Sequence, residues 1–280
     1  MEKADLPADI DWLEIVHPEV DLGHTRYALF DFDGTVSVIR HGWEQIMRAV
    51  MLESICPGRT PPPEIEAEVV DYIDRSTGIL TIKQMKWLEE TVGRYGMAKD
   101  GYSASQYKRM YNERLLQPVY QRLAQLDGSQ SAREAWMIAG ATGFLRELTT
   151  RGVKLFLASG TDQAYVDAEA AALGVTNFFA GHVYGAQGDS ETDSKEQVIN
   201  RILHEHDLHG KELLVVGDGP VEIQYARQAG AVSLGVAADE SLRRGLNPRK
   251  RQRLLHAGAD IIVTDFTHYH ELAAILTPSV

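Results

Sequence analysis

The stretch Tyr27-Ala28-Leu29-Phe30-Asp31-Phe32-Asp33-Gly34-Thr35-Val36-Ser37 constrains this chain more than any other. Its short apolar run, with aromatic and branched residues, reads as a buried strand. The run ends in two carboxylates one residue apart, and Gly and Thr follow where the chain must turn. Ligands of open α/β sheets bind just beyond the carboxyl ends of strands, so this is where chemistry is expected. Carboxylates clustered at a strand tip are costly unless a cation neutralises them, and hard oxygen ligands suit magnesium. An isolated Asp-x-Asp-Gly fits a solvated turn equally well. The rest of the chain has to decide.

After this strand the hydrophobic pattern is helical for about a hundred residues. Trp43, Ile46, Met47, Val50 and Met51 recur at three- and four-residue spacing, as an amphipathic helix requires. Pro57-Gly58 and Pro61-Pro62-Pro63 break the chain, and the pattern predicts further helices over 64–74 and 81–95 and one or two over 105–127. Asp127-Gly128-Ser129-Gln130-Ser131 reads as a turn. The pattern changes after Gly140. Strands are expected at 153–158, closed by Ser159-Gly160-Thr161-Asp162, within 178–184, and at 212–216, 231–236 and 261–263. Helices are expected around Phe144–Leu148 and at 163–173, 196–205, 222–229 and 270–276. Strands alternating with helices imply α/β architecture, a parallel sheet covered on both faces. Residues 1–24 read as an acidic lead-in draped over the domain, anchored by Trp12, Leu13 and Ile15.

A chain of 280 residues can bury a large core and accommodate one domain with an insertion. Its 40 acidic and 28 basic residues leave a net charge of -12, which argues against a nucleic-acid surface. Cys56 is the only cysteine, so no intramolecular disulfide and no cysteine-based zinc site can form. A reducing, cytoplasmic setting is the expectation. The first residues, Met1-Glu2-Lys3-Ala4-Asp5, show no signal peptide, and no apolar run is long enough to span a bilayer.

Four polar clusters fall at comparable places in different β–α units. Asp31 and Asp33 follow the first strand, and Ser159-Gly160-Thr161 the second. Lys195 opens a helix, and Asp218 follows a later strand with Glu222 four residues on. Parallel strands gather such tips at one sheet edge. Together they supply carboxylates for nucleophile and acid/base work, hydroxyl and amide donors, a cation and acidic metal ligands. That set suits phosphoryl transfer, where charge must be neutralised and held in line.

In these ordered motifs, Asp31-Phe32-Asp33-Gly34-Thr35, Leu157-Ala158-Ser159-Gly160, Lys195 and Gly217-Asp218-Gly219-Pro220-Val221-Glu222, the chain resembles the phosphatases of the haloacid dehalogenase superfamily. The likeness covers the α/β part, and with the helical block it is closest to the phosphoglycolate-phosphatase-like members. It implies a Rossmann-like parallel sheet core over 1–37 and 138–280, with an inserted α-helical cap of the C1 type over 38–137. It also implies that Asp31 attacks phosphorus and carries an aspartyl-phosphate. Asp33 would protonate the leaving oxygen and then activate water. Ser159 and the Gly160 amide would bind phosphate oxygens, Thr35 and Thr161 would stand beside the substrate, and Lys195 would hold nucleophile and phosphate together. Mg2+ would be coordinated by Asp31, Asp218 and the Asp33 backbone carbonyl. Glu222 replaces the commoner Asp, which leaves open whether it ligates the metal or orients a bound water. Ser159 is equally suited to capping the next helix, in competition with Thr161 and Asp162.

The implied substrate is a small phosphate ester, because a leaving-group acid at Asp33 is something a dehalogenase does not need. A sugar phosphate leads. A nucleoside monophosphate 5'-phosphatase, a phosphomutase and a phosphate-binding module without turnover are the alternatives. A phosphonate hydrolase would need a Schiff-base lysine, for which Lys83 and Lys86 are available. The family's cap excludes water and reads the leaving group. Candidate specificity residues are Arg40, His41 and Trp43 near the hinge, and Arg75, Thr77, Gly78 and Gln84 around the break at Ser76. His204, His206 and His209 do not share one helical face and read as surface histidines. The basic run from Arg243 to Arg253 reads as a solvated loop and helix. Arg249 or Lys250 is its candidate for reaching a second anionic group of the substrate. Oligomeric state is not encoded in any readable feature.

Overall fold

A computed structural model of the protein describes residues 12–98, 101–190 and 194–278. Residues 1–11, the first part of the acidic lead-in, lie outside the described residues. Among the described residues seven strands form one sheet: β1 (Leu13–Ile15), β2 (Tyr27–Phe30), β3 (Lys154–Asp162), β4 (Val183–Ala186), β5 (Leu213–Gly217), β6 (Val232–Val236) and β7 (Ile261–Val263). Their spatial order is β1-β7-β6-β5-β2-β3-β4, parallel throughout except for β1 at one edge. The chain runs from β2 outward to β4 and then returns to β5 on the other side of β2. Strand order therefore reverses beside β2, where an open α/β sheet offers a crevice.

The expected helices form where the apolar spacing places them. Over residues 38–137 they are α1 (Trp43–Ile55), α2 (Pro63–Arg75), α3 (Thr81–Tyr95) and α4 (Ala104–Leu123), and the short α5 (Gln130–Glu134), which the pattern does not predict, begins inside the stretch that reads as a turn. They pack chiefly on one another as a helical cap, with Met47, Val69, Met85 and Val119 in its interior. Helices α6 (Ala141–Thr150), α7 (Gln163–Ala172), α8 (Lys195–Glu205), α9 (Pro220–Gln228), α10 (Pro248–Ala257) and α11 (Tyr269–Leu276) accompany the sheet. The inner strands β5, β6 and β7 are buried throughout and β2 along most of its length, as covered parallel strands must be, whereas the edge strands β1 and β4 are partly exposed. Among the described residues, no helix is long and apolar enough to cross a membrane.

Four expectations change. Leu13 and Ile15 do not merely anchor a draped segment. They form β1, pairing antiparallel with β7, in a strand too short for its alternation to stand out. Ser159-Gly160-Thr161-Asp162 does not close β3 but continues it, because β4 picks up the pairing again at Asp162 after a register shift. The strand expected within 178–184 starts late, since a 3-10 turn at Thr176–Phe179 and a left-handed Ala180 (φ 46°) precede it. The basic run is solvated only in part, at Arg244 and Arg249. Pro248 and the Asn247 side chain start α10, whose Lys250, Arg251 and Arg253 side chains are buried against carboxylates.

Candidate active site

Phe30, the last residue of β2, pairs with Leu157 on one side and Val216 on the other. Asp31 lies one residue past that level, and Ser159 and Asp218 lie two residues past their own partners. Register alone thus brings three polar residues from three distant sequence positions to one sheet edge. Gly34 takes a left-handed turn (φ 79°), and a Cβ there would collide with the Asp218 carboxylate. Only glycine lets the turn pass this close.

Lys195 is the first residue of α8, which Ser194 and Gln197 cap reciprocally. Its Nζ lies 2.7 Å from Asp31 Oδ1 and 3.1 Å from Glu222 Oε2. Glu222 Oε1 accepts a hydrogen bond from the Gly219 amide at 2.8 Å, at the start of α9. Asp31, Asp218 and Glu222 each present a carboxylate oxygen, all within 4.8 Å of one another and all on buried residues. Three carboxylates with no sulfur or imidazole donor make a hard site, fitted to magnesium or a similar cation.

Burial pushes the Asp31 carboxyl well above the usual range, Lys195 pulls it back, and Glu222 and Asp218 push it up again. Further positive charge beside this carboxyl would favour its ionised, nucleophilic form. Burial opposes the charge on Lys195, but the Asp31 and Glu222 carboxylates outweigh it and raise the ammonium's pKa. Asp33 is also raised by burial, against the opposing pull of Arg40, Thr161 and Ser159. Its Oδ2 accepts hydrogen bonds from Ser159 Oγ (3.2 Å) and Thr161 Oγ1 (3.1 Å). Its Oδ1 is buried without a hydrogen-bond partner, with Arg40 Nε 3.8 Å away. A carboxyl raised in pKa and held by two hydroxyls is suited to hold and move a proton.

The cleft over these residues encloses about 530 Å³, part of it open to solvent. Asp31, Asp33, Ser159, Gly160, Thr161, Lys195 and Asp218 line its floor. Its roof comes from Arg40, Trp43, the 77–79 loop between α2 and α3, Thr81, Gln84 and Tyr111. The 77–79 loop descends so far that a Cβ on Gly78 would collide with Glu222 Oε2 and sit 3.2 Å from Lys195 Nζ. Gly78 also has a φ of 99°, which side chains rarely adopt.

Several sequence-derived candidates lie elsewhere. Thr35 is fully buried with its hydroxyl unpartnered and does not line the cleft. Arg75 is exposed beside Asp71, and His41 faces Glu240 at 3.3 Å in a neighbouring cleft. Neither Lys83 nor Lys86 lines this cleft, although Lys83 lines a small adjoining one with Ser159, Gly160 and Lys195. Ser159 does not cap α7. Asp162 holds the N-cap position, with its side chain bound instead to Lys108 at 2.5 Å. Lys250 is no free anion hook, because its ammonium lies on Asp218.

Sequence reasoning missed Glu169, which clamps Arg40 with bonds of 2.7, 3.1 and 3.1 Å. A signal existed, because Glu169 falls on the apolar face of α7 beside Val166 and Ala170, where a charge requires a partner. Tyr111 and Arg253 were also missed. Both sit on helix faces whose neighbours read as core or as surface, and only the fold turns Tyr111 toward the cleft and Arg253 toward the Asp218 carbonyl and the neighbouring cleft.

A model of the haloacid dehalogenase-like hydrolases matches residues 25–230, so the chain belongs to that family. Solved structures agree on the fold. A predicted phosphoglycolate phosphatase from Haemophilus somnus is 15% identical with a TM-score of 0.59, covering 90% of this chain and 99% of its own. A hydrolase of the same family from Deinococcus radiodurans, with bound phosphate and sodium, is 18% identical with a TM-score of 0.52, covering 92% and 100%. A β-phosphoglucomutase from Clostridium difficile is 13% identical with a TM-score of 0.56, covering 89% and 97%. No curated protein matches the sequence.

Proposed function

We propose that the protein is a magnesium-dependent phosphomonoesterase acting on a small phosphorylated metabolite, most plausibly a sugar phosphate, through an aspartyl-phosphate. The observation that carries this reading is the pairing of Asp31 with Lys195 at 2.7 Å, two residues from a hydroxyl-held Asp33. Asp31 attacks phosphorus, the new oxygen–phosphorus bond forms, and the bond to the leaving oxygen breaks. Asp33 gives its proton to that oxygen, then takes one from the water that releases phosphate from Asp31. Lys195 and the Gly160 amide neutralise and orient the phosphoryl oxygens, while Ser159 and Thr161 keep the Asp33 carboxyl in place. Asp31, Asp218 and the Asp33 carbonyl would hold Mg2+, with Glu222 ligating it or orienting a bound water. The cation would supply charge neutralisation for nucleophile and phosphate alike.

Residues 38–137 act in this reading as the cap domain that closes over the 1–37 and 138–280 core and selects the leaving group. The roof favours a neutral, hydroxyl-rich one. Among the described residues, Arg40 is the one cation of the roof and is already bound by Glu169, so none of them offers an uncompensated charge to a second anion. Trp43 and Tyr111 offer aromatic surface, and Thr81 and Gln84 offer polar groups. A mutase working through a bisphosphate, or a phosphoglycolate enzyme, would need such a charge, and these become the runner-up readings. The buried single cysteine fits the reducing cytoplasm in which such metabolites are handled.

The test is phosphate release with and without Mg2+ across neutral sugar phosphates, nucleoside monophosphates, phosphoglycolate and phosphonates. Mg2+-dependent release with the highest kcat/KM on a neutral sugar phosphate is expected. A preference for phosphoglycolate or a bisphosphate would overturn the substrate class. No release from any ester, p-nitrophenyl phosphate included, would leave a binding module.

A further inference from the structure

The chemistry above employs one buried lysine, yet two flank the acid cluster. The second is Lys250, whose side chain is 8% exposed. It enters from α10, whose first turn is held by Asn247 Oδ1 accepting the Arg249 and Lys250 amides at 3.1 Å each. Lys250 Nζ lies 2.7 Å from Asp218 Oδ2 and 2.7 Å from Glu240 Oε1. Two other nitrogen-bearing side chains meet these carboxylates. Arg253 donates from Nη2 to the Asp218 carbonyl at 3.1 Å and lies 3.9 Å from Asp218 Oδ2. His41 Nδ1 is 3.3 Å from Glu240 Oε2. Burial opposes the charge on Glu240, but Lys250 overrides it and holds this carboxyl down at about 2.

Asp218 therefore divides its charge between an ammonium that is part of the chain and any cation held with Asp31 and Glu222. We propose that Lys250 is a resident counter-cation of the acid cluster. It keeps the Asp218 carboxylate in place and loosens Mg2+ binding, while Glu240 draws the ammonium away and limits that loosening. The physical reason is that two positive charges a few ångströms apart repel strongly where water is excluded. A site with two buried ammonium groups can keep its carboxylates folded together without a metal. It then binds the cation only as tightly as the remaining charge allows. Lys250 is thus a positioning residue, not a catalytic one.

This inference rests on the reading that Asp31, Asp218 and Glu222 hold the cation. The test is calorimetric titration of the full chain with Mg2+ alone, for wild type, Lys250→Met, Lys250→Arg and Glu240→Gln. Lys250→Met is expected to bind Mg2+ about tenfold tighter, and Glu240→Gln about threefold more weakly. Lys250→Arg, which keeps the charge, should stay near wild type. A purely structural role would instead loosen the site in both neutralising variants. Unchanged or weaker binding in Lys250→Met, with wild type binding normally, would overturn the inference alone. Should Lys250→Met fail to fold, Glu240→Gln decides, and unchanged or tighter binding there overturns it. Wild type that takes up no Mg2+ would overturn the cation site itself.

Discussion

Floor and roof of the cleft are built by different rules. The floor stands on strand tips held level by sheet register, and its side chains carry the charge: Asp31, Asp33, Lys195, Asp218 and Glu222. The roof is a helix–turn–helix loop whose closest approach is backbone, at Gly78, with polar and aromatic side chains set further back. The two are joined by charge. Arg253 of α10 reaches Thr77 Oγ1 at 3.1 Å and Glu44 at 3.4 Å in the cap, and Lys108 of α4 reaches Asp162 at 2.5 Å in β3. A floor of buried charges must be specified by residue type, whereas a roof that excludes water is specified by shape. Functional groups fixed to regular strands are also held more precisely than groups on loops.

That contrast can be broken most severely at the floor. Asp31→Asn removes the nucleophile while keeping its volume, and phosphate release should fall on the order of 10⁴-fold or more. Circular dichroism melting should show the variant folded, since Lys195 keeps Glu222 as a partner. Full turnover by Asp31→Asn would end the covalent reading. The roof should fail by shape alone. Gly78→Ala adds one methyl that collides with Glu222, and a displaced loop should lower kcat/KM by about 10²-fold without removing any polar group. Wild-type kinetics in Gly78→Ala would mean that the loop does not close onto the floor during turnover.

The smallest effect sharpens the link between the two. Arg40 pulls the Asp33 pKa down against burial, and Glu169 offsets part of the Arg40 charge. Glu169→Gln leaves that charge whole, so the Asp33 pKa should fall. Asp33 must carry its proton when the leaving oxygen departs, so activity is lost as pH rises through its pKa. The alkaline limb of kcat/KM should therefore move to lower pH, by up to about one unit. No movement, or movement upward, would separate Arg40 from the acid/base step.

How much of this could be read beforehand follows the same division. The alternation of strands and helices, the helices at Thr81–Tyr95 and Tyr269–Leu276, and the strand Ile261–Val263 stand almost at their expected limits. Apolar periodicity is a local signal, and these segments carry it cleanly. The floor candidates other than Thr35 were legible because a carboxylate, a hydroxyl or a lysine beside a strand end has few bland uses in such numbers. The Arg40–Glu169 clamp spans 129 positions, and the Lys250–Asp218 pair links α10 to a strand tip. Neither has a local signal, and both residues of α10 that approach Asp218 stood in a run that looked solvated.

By itself the sequence determined the alternating α/β order, the helical insertion after β2, and the residue types available for phosphoryl chemistry. Those properties depend on neighbours three or four residues away, or on the ends of strands. Only the tertiary structure decided which charges neutralise one another, that Thr35 does not line the cleft, that β3 runs on through Ser159, and that Gly78 rests on the Lys195–Glu222 pair. Burial makes each of those arrangements necessary. A charge withdrawn from water must find its partner wherever the fold brings one, at any distance along the chain.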